Sequence, residues 1–240
     1  VPRTNPARRR ALTDAAISLL ASDGVHGLTH RSAERAAGLP AGTASNYFRN
    51  REELLVAAAE RILELHLEEM DRVNTDAVRE GTDRAPDLAE LIGISLETAS
   101  SSLRDRYLAI FELVLESRRR PALATAMSRL AGGAAAFTGD QHTLLGLDLP
   151  PRAAPMLITL YGAALFALVT SPSDTGVPSA HELARALVAG TLATTADDER
   201  GTGPRTDLGP DERGTGPGPG PGPGPDERKA DSSGGDSPAV

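Results

Sequence analysis

The chain has 240 residues, room for a small domain plus a second sizeable core, and carries a formal net charge of −8 with no cysteine. Without cysteine there are no disulfides and no thiolate metal sites, and no stretch has the charged, apolar, then cleavable order of an export signal, so a cytoplasmic protein is expected. The longest near-continuous apolar stretch, residues 156–169, is 14 residues long, shorter than the roughly 20 that span a bilayer, and no membrane segment is expected.

An opening helix is predicted from Asn5-Pro6, a cap followed by proline at the first helical position, with Leu12, Ala15, Ala16, Leu19 and Leu20 at helical spacing until Gly24. The next run, LTHRSAERAAGLPAGTASNYFRNREEL over residues 28–54, reads as two short helices broken at Gly38-Leu39-Pro40 and followed by a third. Thr29 is an N-cap whose hydroxyl accepts from orphan N–H groups, and Ala33, Ala36 and Ala37 form the inner face. Gly38 suits the left-handed position after the helix, and Pro40 forbids its continuation. A second helix of about two turns is predicted from Ala41, where Gly42, Thr43, Ala44, Ser45 and Asn46 are small or polar enough to approach a groove closely. Asn50, with Glu53 three residues on, caps a long third helix whose apolar stripe begins with Leu54, Leu55, Ala58 and Ile62. This is the layout of a helix-turn-helix.

Downstream the pattern stays helical, with breaks that predict helices over 51–79, 87–103, 105–118, 122–144, 152–170 and 179–195, nine in all with the three before them. The stretch 156–169 is apolar nearly all round and calls for burial on more than one side. The last helix mixes Leu183, Leu187, Val188 and Leu192 with Ala184, Ala186, Ala189 and Gly190, which permits close helix approach. Residues 1–51 hold eight arginines against three acids, a local +5, so a basic end sits on an acidic body. Such a patch matters because phosphate neutralisation provides most non-specific DNA affinity.

Leu12, Ala15, Ala16, Leu19, Gly24, Leu28, Thr29, Ala36, Gly38, Gly42, Thr43, Tyr47, Phe48, Glu52, Glu53 and Leu54, in this order and spacing, resemble the amino-terminal domain of TetR-family transcriptional regulators. The resemblance implies an all-α protein with a DNA-binding domain over 1–50, a helical effector-binding and dimerisation domain over 51–195, and a disordered tail over 196–240. It implies a homodimer pairing through the helices at 152–170 and 179–195, bound to a near-palindromic double-stranded operator and released by a small-molecule effector. Thr43, Ser45 and Asn46 would lie nearest base edges, with Gly42 allowing close approach, and Thr29, Arg31, Tyr47 and Arg51 would meet phosphates; Phe48 would pack inward. The chain departs from the family pattern in two places. Ala44-Ser45 stands where most members carry an aromatic, and Arg51 where they usually carry lysine.

For the effector, the resemblance directs attention to polar or aromatic residues on the central helices, namely His66, Tyr107, Phe111, His142 and Tyr161, with Glu112 and Arg118 nearby. His66, beside Glu68 and Glu69, has an alternative reading as a surface residue, and Tyr107 and Phe111 as an ordinary i, i+4 core pair. Four Phe, three Tyr and no Trp point to an aliphatic or modestly polar effector rather than a flat aromatic cation. The histidines, at 26, 30, 66, 142 and 181, make no HExxH pair, and GxSxG and Walker-type loops are absent, so neither enzyme activity, metal nor cofactor is expected. The alternative is a helical small-molecule-binding protein or enzyme without specific DNA binding. From residue 196 the chain is almost free of large apolar residues, repeats DERGTGP twice and alternates Gly and Pro from Gly216, a composition that cannot offset its ordering entropy.

Overall fold

The computed structural model of the chain describes residues 5–80, 87–144, 153–172 and 176–201, the side chains of 70, 71, 73–80, 134–144 and 195–201 excepted. Among these residues there are eight α-helices, one 3-10 turn and no strand. They are α1 (Pro6–Gly27), α2 (His30–Ala36), the 3-10 turn (Ala44–Asn46), α3 (Arg51–Glu80), α4 (Leu88–Ser100), α5 (Arg104–Ser117), α6 (Pro121–Leu144), α7 (Ala153–Thr170) and α8 (Ala180–Gly201).

The local signals act where they stand in the chain. Asn5 Oδ1 accepts from the N–H groups of Ala7 and Arg8 at 3.0 and 3.4 Å, and Asn50 Oδ1 accepts from Glu53 N–H at 2.9 Å. Gly24 breaks α1 internally with φ 67° and ψ −175°, a conformation for which a residue without Cβ is suited. Three differences from the sequence-based expectation have local causes. The predicted two-turn helix from Ala41 is a single 3-10 turn, because Gly42 sits at φ 84° and cannot belong to a right-handed helix. α4 ends three residues early, where the hydroxyls of Ser100, Ser101 and Ser102 turn back to the carbonyls of Leu96, Glu97 and Thr98. α8 runs to Gly201 rather than 195, since no glycine or proline interrupts the stretch before it. The remainder of the tail expected to be disordered, 202–240, lies outside the described residues.

Two apolar clusters form. The first joins Leu12, Ile17 and Leu20 of α1, Ala33 of α2, Ala44, Phe48, and Leu54, Leu55, Ala58 and Ile62 of α3 to Leu113 of α5 and Leu123, Met127 and Leu130 of α6. This cluster runs past residue 50, through the first three turns of α3 and on to α5 and α6. The second cluster joins Leu96 and Ala99 of α4, Ala164, Leu165 and Val169 of α7, and Ala180 and Ala184 of α8, with Tyr107, Leu108 and Phe111 of α5 packed against it. α5 is thus the wall shared by both cores. α4 and α8 approach closely at Gly93, where a Cβ would stand 2.7 Å from His181 Cδ2.

α7 is 18 residues long with mean hydropathy 1.8, enough by length and composition to cross a membrane. Its Leu157, Ala164, Leu165 and Val169 are buried, while Ile158, Gly162, Ala163 and Phe166 are exposed, so it contributes one face to the second core and leaves the other open.

Candidate nucleic-acid interface

α2 ends in a Schellman motif: Leu39 N–H donates to Glu34 O at 2.9 Å and Gly38 N–H to Arg35 O at 3.2 Å, with Gly38 at φ 64°. At its start, Thr29 Oγ1 accepts Ser32 N–H at 3.0 Å and Ser32 Oγ accepts Thr29 N–H at 2.8 Å, a reciprocal capping box. The chain then reverses through Pro40 to the 3-10 turn, where the Glu34 carboxylate, 5% exposed, accepts Ala44 N–H at 2.7 Å. This buried hydrogen bond fixes the turn onto α2.

The arrangement exposes Arg31, Gly42, Ser45 and Asn46 together with Thr29, and half-buries Tyr47, whose hydroxyl accepts Asn5 N–H at 3.2 Å. Two residues expected to face DNA are differently engaged. Thr43 is buried, and its hydroxyl donates to Pro40 O at 2.6 Å, because the tight reversal turns it back on itself. Arg51 is half-buried, its Nε–H donating to Leu28 O at 2.7 Å and its Nη2 to Val25 O, which also accepts Leu28 N–H at 3.3 Å, so the guanidinium is held by carbonyls at the end of α1. Phe48 is buried as expected, with the Arg9 guanidinium 5.5 Å over its ring and 3.8 Å from Glu60. Arg61 ties α3 to α1 through Asp14 at 2.9 Å and also reaches Glu64 and Glu68 at 3.1 and 3.3 Å. Burial pulls its pKa down, but hydrogen bonds to these carboxylates outweigh that and hold it above the ordinary value.

In the helical body, His66 is half-buried rather than on the surface, its ring centroid 5.6 Å from that of Tyr107. Burial, reinforced by the Arg106 charge, lowers His66 to about 4; its buried Nδ1 has no well-formed hydrogen bond, and the upward pull of the Ile62 carbonyl does not offset burial. Tyr161 pairs its hydroxyl with Ser95 Oγ at 2.8 Å, and burial raises both Tyr107 and Tyr161 above the usual phenol range. His66, Tyr107 and Tyr161 are therefore engaged in packing and hydrogen bonding. Phe111, one turn along α5, meets Phe166 edge-on at 5.0 Å and lines a cavity between α1, α5 and α7. The side chain of His142 lies outside the described residues.

Residues 12–58 match the model of the "Bacterial regulatory proteins, tetR family" and residues 83–194 that of the "Tetracyclin repressor-like, C-terminal domain". The chain belongs to the TetR family. It is accordingly a DNA-binding transcription regulator, with the helix-turn-helix of α2 and the 3-10 turn as its DNA-binding unit. Solved TetR-like structures repeat the fold. A transcriptional regulator from Rhodococcus sp. Rha1 has a TM-score of 0.61 at 16% identity, covering 80% of this chain and 97% of that one. A regulator from Streptomyces coelicolor A3(2) gives 0.59 at 18%, covering 78% and 98%. The multidrug binding protein EbrR, in complex with proflavin, gives 0.53 at 27%, covering 77% and 99%. No curated protein matches the chain.

Two residues of this TetR-family chain acquire roles the linear pattern does not announce. Glu34 looks like a solvated charge on a short helix, and only its carboxylate's contact ten residues on makes it the anchor of the reading turn. Glu112 accepts Val25 N–H at 2.8 Å across 87 residues, joining α5 to the kinked end of α1.

Proposed function

We propose that this TetR-family protein is a homodimeric repressor, acting in the cytoplasm without catalysis of its own, that leaves a near-palindromic operator when a small molecule binds its helical body. The observation that carries the reading is the outward set of Arg31 on α2 with Ser45 and Asn46 on the turn that Glu34 anchors from behind. Ser45 and Asn46 read base edges, Arg31, Thr29 and Tyr47 meet phosphates, and Gly42 allows the backbone to approach. Thr43 and Arg51 contribute by shaping the turn and the α1–α3 junction. The exposed faces of α7, at Ile158, Gly162 and Ala163, and of α8, at Ala186, Ala189 and Gly190, suit pairing with a second copy. A two-fold dimer would set two reading turns about 34–36 Å apart, one turn of DNA. EbrR, similar at 27% identity, is a multidrug binding protein crystallised with proflavin, which supports ligand response here. A ligand acts by binding the DNA-competent and released states with different affinity.

The test is binding of the purified protein to DNA flanking its own gene, with unrelated competitor DNA and varied salt, followed by selection from random duplexes. Tight, competitor-resistant binding at two half-sites is expected. Binding no better than to unrelated DNA in both experiments would overturn the regulator reading in favour of a ligand-binding protein.

A further inference from the structure

The cavity between the kinked end of α1, α5 and α7 has a volume of about 370 Å³, within the roughly 300–1,000 Å³ typical of small-molecule sites. Its walls include Leu20, Leu108, Phe111, Leu115 and Phe166, and one carboxylate, Glu112. Leu115 and Phe166 are 63% and 50% exposed, large apolar side chains left uncovered beside the cavity. Glu112 is half-buried and receives the backbone N–H of Val25; among the described residues no arginine, lysine or histidine forms an ion pair with it. A carboxylate offers about four acceptor positions, so one backbone donor leaves others free to meet a ligand in the cavity.

We propose that this cavity binds a small organic cation with an apolar body, an alkylated or protonated amine. Its charge pairs with the Glu112 carboxylate, while its hydrocarbon part lies against Leu20, Leu108, Leu115 and the Phe111–Phe166 rings. The inference deepens the repressor reading and rests on it for its consequence. Glu112 holds the N–H of Val25, and the carbonyls of Val25 and Leu28 hold Arg51 at the start of α3. Gly24 sits at φ 67° so close that a Cβ there would stand 3.2 Å from Glu112 Oε2. A cation drawing the carboxylate into the cavity competes with Val25 N–H and loosens the tie between body and head.

The experiment is equilibrium dialysis of the full chain against benzyltrimethylammonium and, separately, its neutral carbon isostere neopentylbenzene, with melting temperatures recorded for each variant. Saturable binding of the cation is expected, weakened at least tenfold by Glu112→Gln, which keeps an acceptor for Val25 N–H, and weaker still for the isostere. Leu115→Lys, one turn along the exposed face, places an ammonium beside Glu112 and should abolish cation binding even if the glutamine variant fails to fold. Unchanged affinity in the lysine variant, or equal binding of cation and isostere, would overturn the proposal. Operator affinity of the wild type without cation is read separately and tests the repressor reading alone. Cation binding that leaves operator affinity unaltered would refute the coupling through Glu112.

Discussion

Replacing Glu34 with alanine should disable the reading turn while leaving the α2 Schellman motif intact, because that motif uses the Glu34 carbonyl and the turn uses its carboxylate. Ala44, whose N–H the carboxylate accepts at 2.7 Å, is fully buried, so the truncation leaves a donor without a partner where water has poor access. A hydrogen bond to a charged group contributes about 1.5–3 kcal/mol, and the better helix propensity of alanine returns only a few tenths, leaving a net loss of about 2 kcal/mol. If that loss falls wholly on the DNA-competent geometry, operator affinity drops about thirtyfold, since each 1.4 kcal/mol is a factor of ten. Glu34→Gln keeps an acceptor oxygen but forms a neutral bond of roughly half the strength, so it should lose about 1 kcal/mol. Urea unfolding, amide exchange at Ala44 and fluorescence anisotropy on operator DNA measure the three consequences. Ala44 exchange as slow in Glu34→Ala as in the wild type, with stability within about 0.5 kcal/mol, would refute the anchoring role.

His66 is held neutral in the fold with its pKa lowered to about 4 from an ordinary 6.5. Its contribution is intact above pH 6.5 and is lost as the pH falls towards 4, where the unfolded chain gains a proton that the folded chain does not, up to about 3 kcal/mol; His66→Leu should flatten this limb in thermal melts between pH 7.5 and 4.5, and parallel curves would contradict it. Arg31→Ala should weaken binding to all DNA sequences about equally and reduce the salt slope by about one, whereas Asn46→Ala should relax discrimination at particular bases; anisotropy titrations on operator and scrambled duplexes distinguish the two, and equal losses everywhere for Asn46 would remove it from base reading. Gly93→Ala should destabilise the protein by about 1–3 kcal/mol, as its Cβ would meet the His181 ring at 2.7 Å and force α4 and α8 apart. A melting temperature unchanged in that variant would mean His181 swings aside freely.

The features legible from residue order are those settled by bonds between near neighbours. Asn5, Thr29 and Asn50 cap helices by accepting N–H groups two or three residues on, and Gly38 with Pro40 ends α2 whatever surrounds it, so the helix-turn-helix and the all-helical body could be read in linear order. The buried stripe of α3 follows equally from its spacing, whereas α7, apolar nearly all round and expected to be buried on more than one side, buries one face in the single chain and leaves Ile158, Gly162, Ala163 and Phe166 exposed. The tertiary structure decided where chemically versatile side chains spend their donors and acceptors. Arg51 and Thr43 have groups suited to DNA, yet carbonyls brought close by the fold occupy them, and Glu34 is drawn inward by an N–H ten residues away. His66 meets Tyr107 only because α3 packs beside α5, and Glu112 meets Val25 only because α1 crosses α5 at the Gly24 kink. Capping energies depend on atoms a few bonds apart and are written in order along the chain. Long-range pairings depend on which helix faces which, which the packing of two cores around the shared wall of α5 establishes.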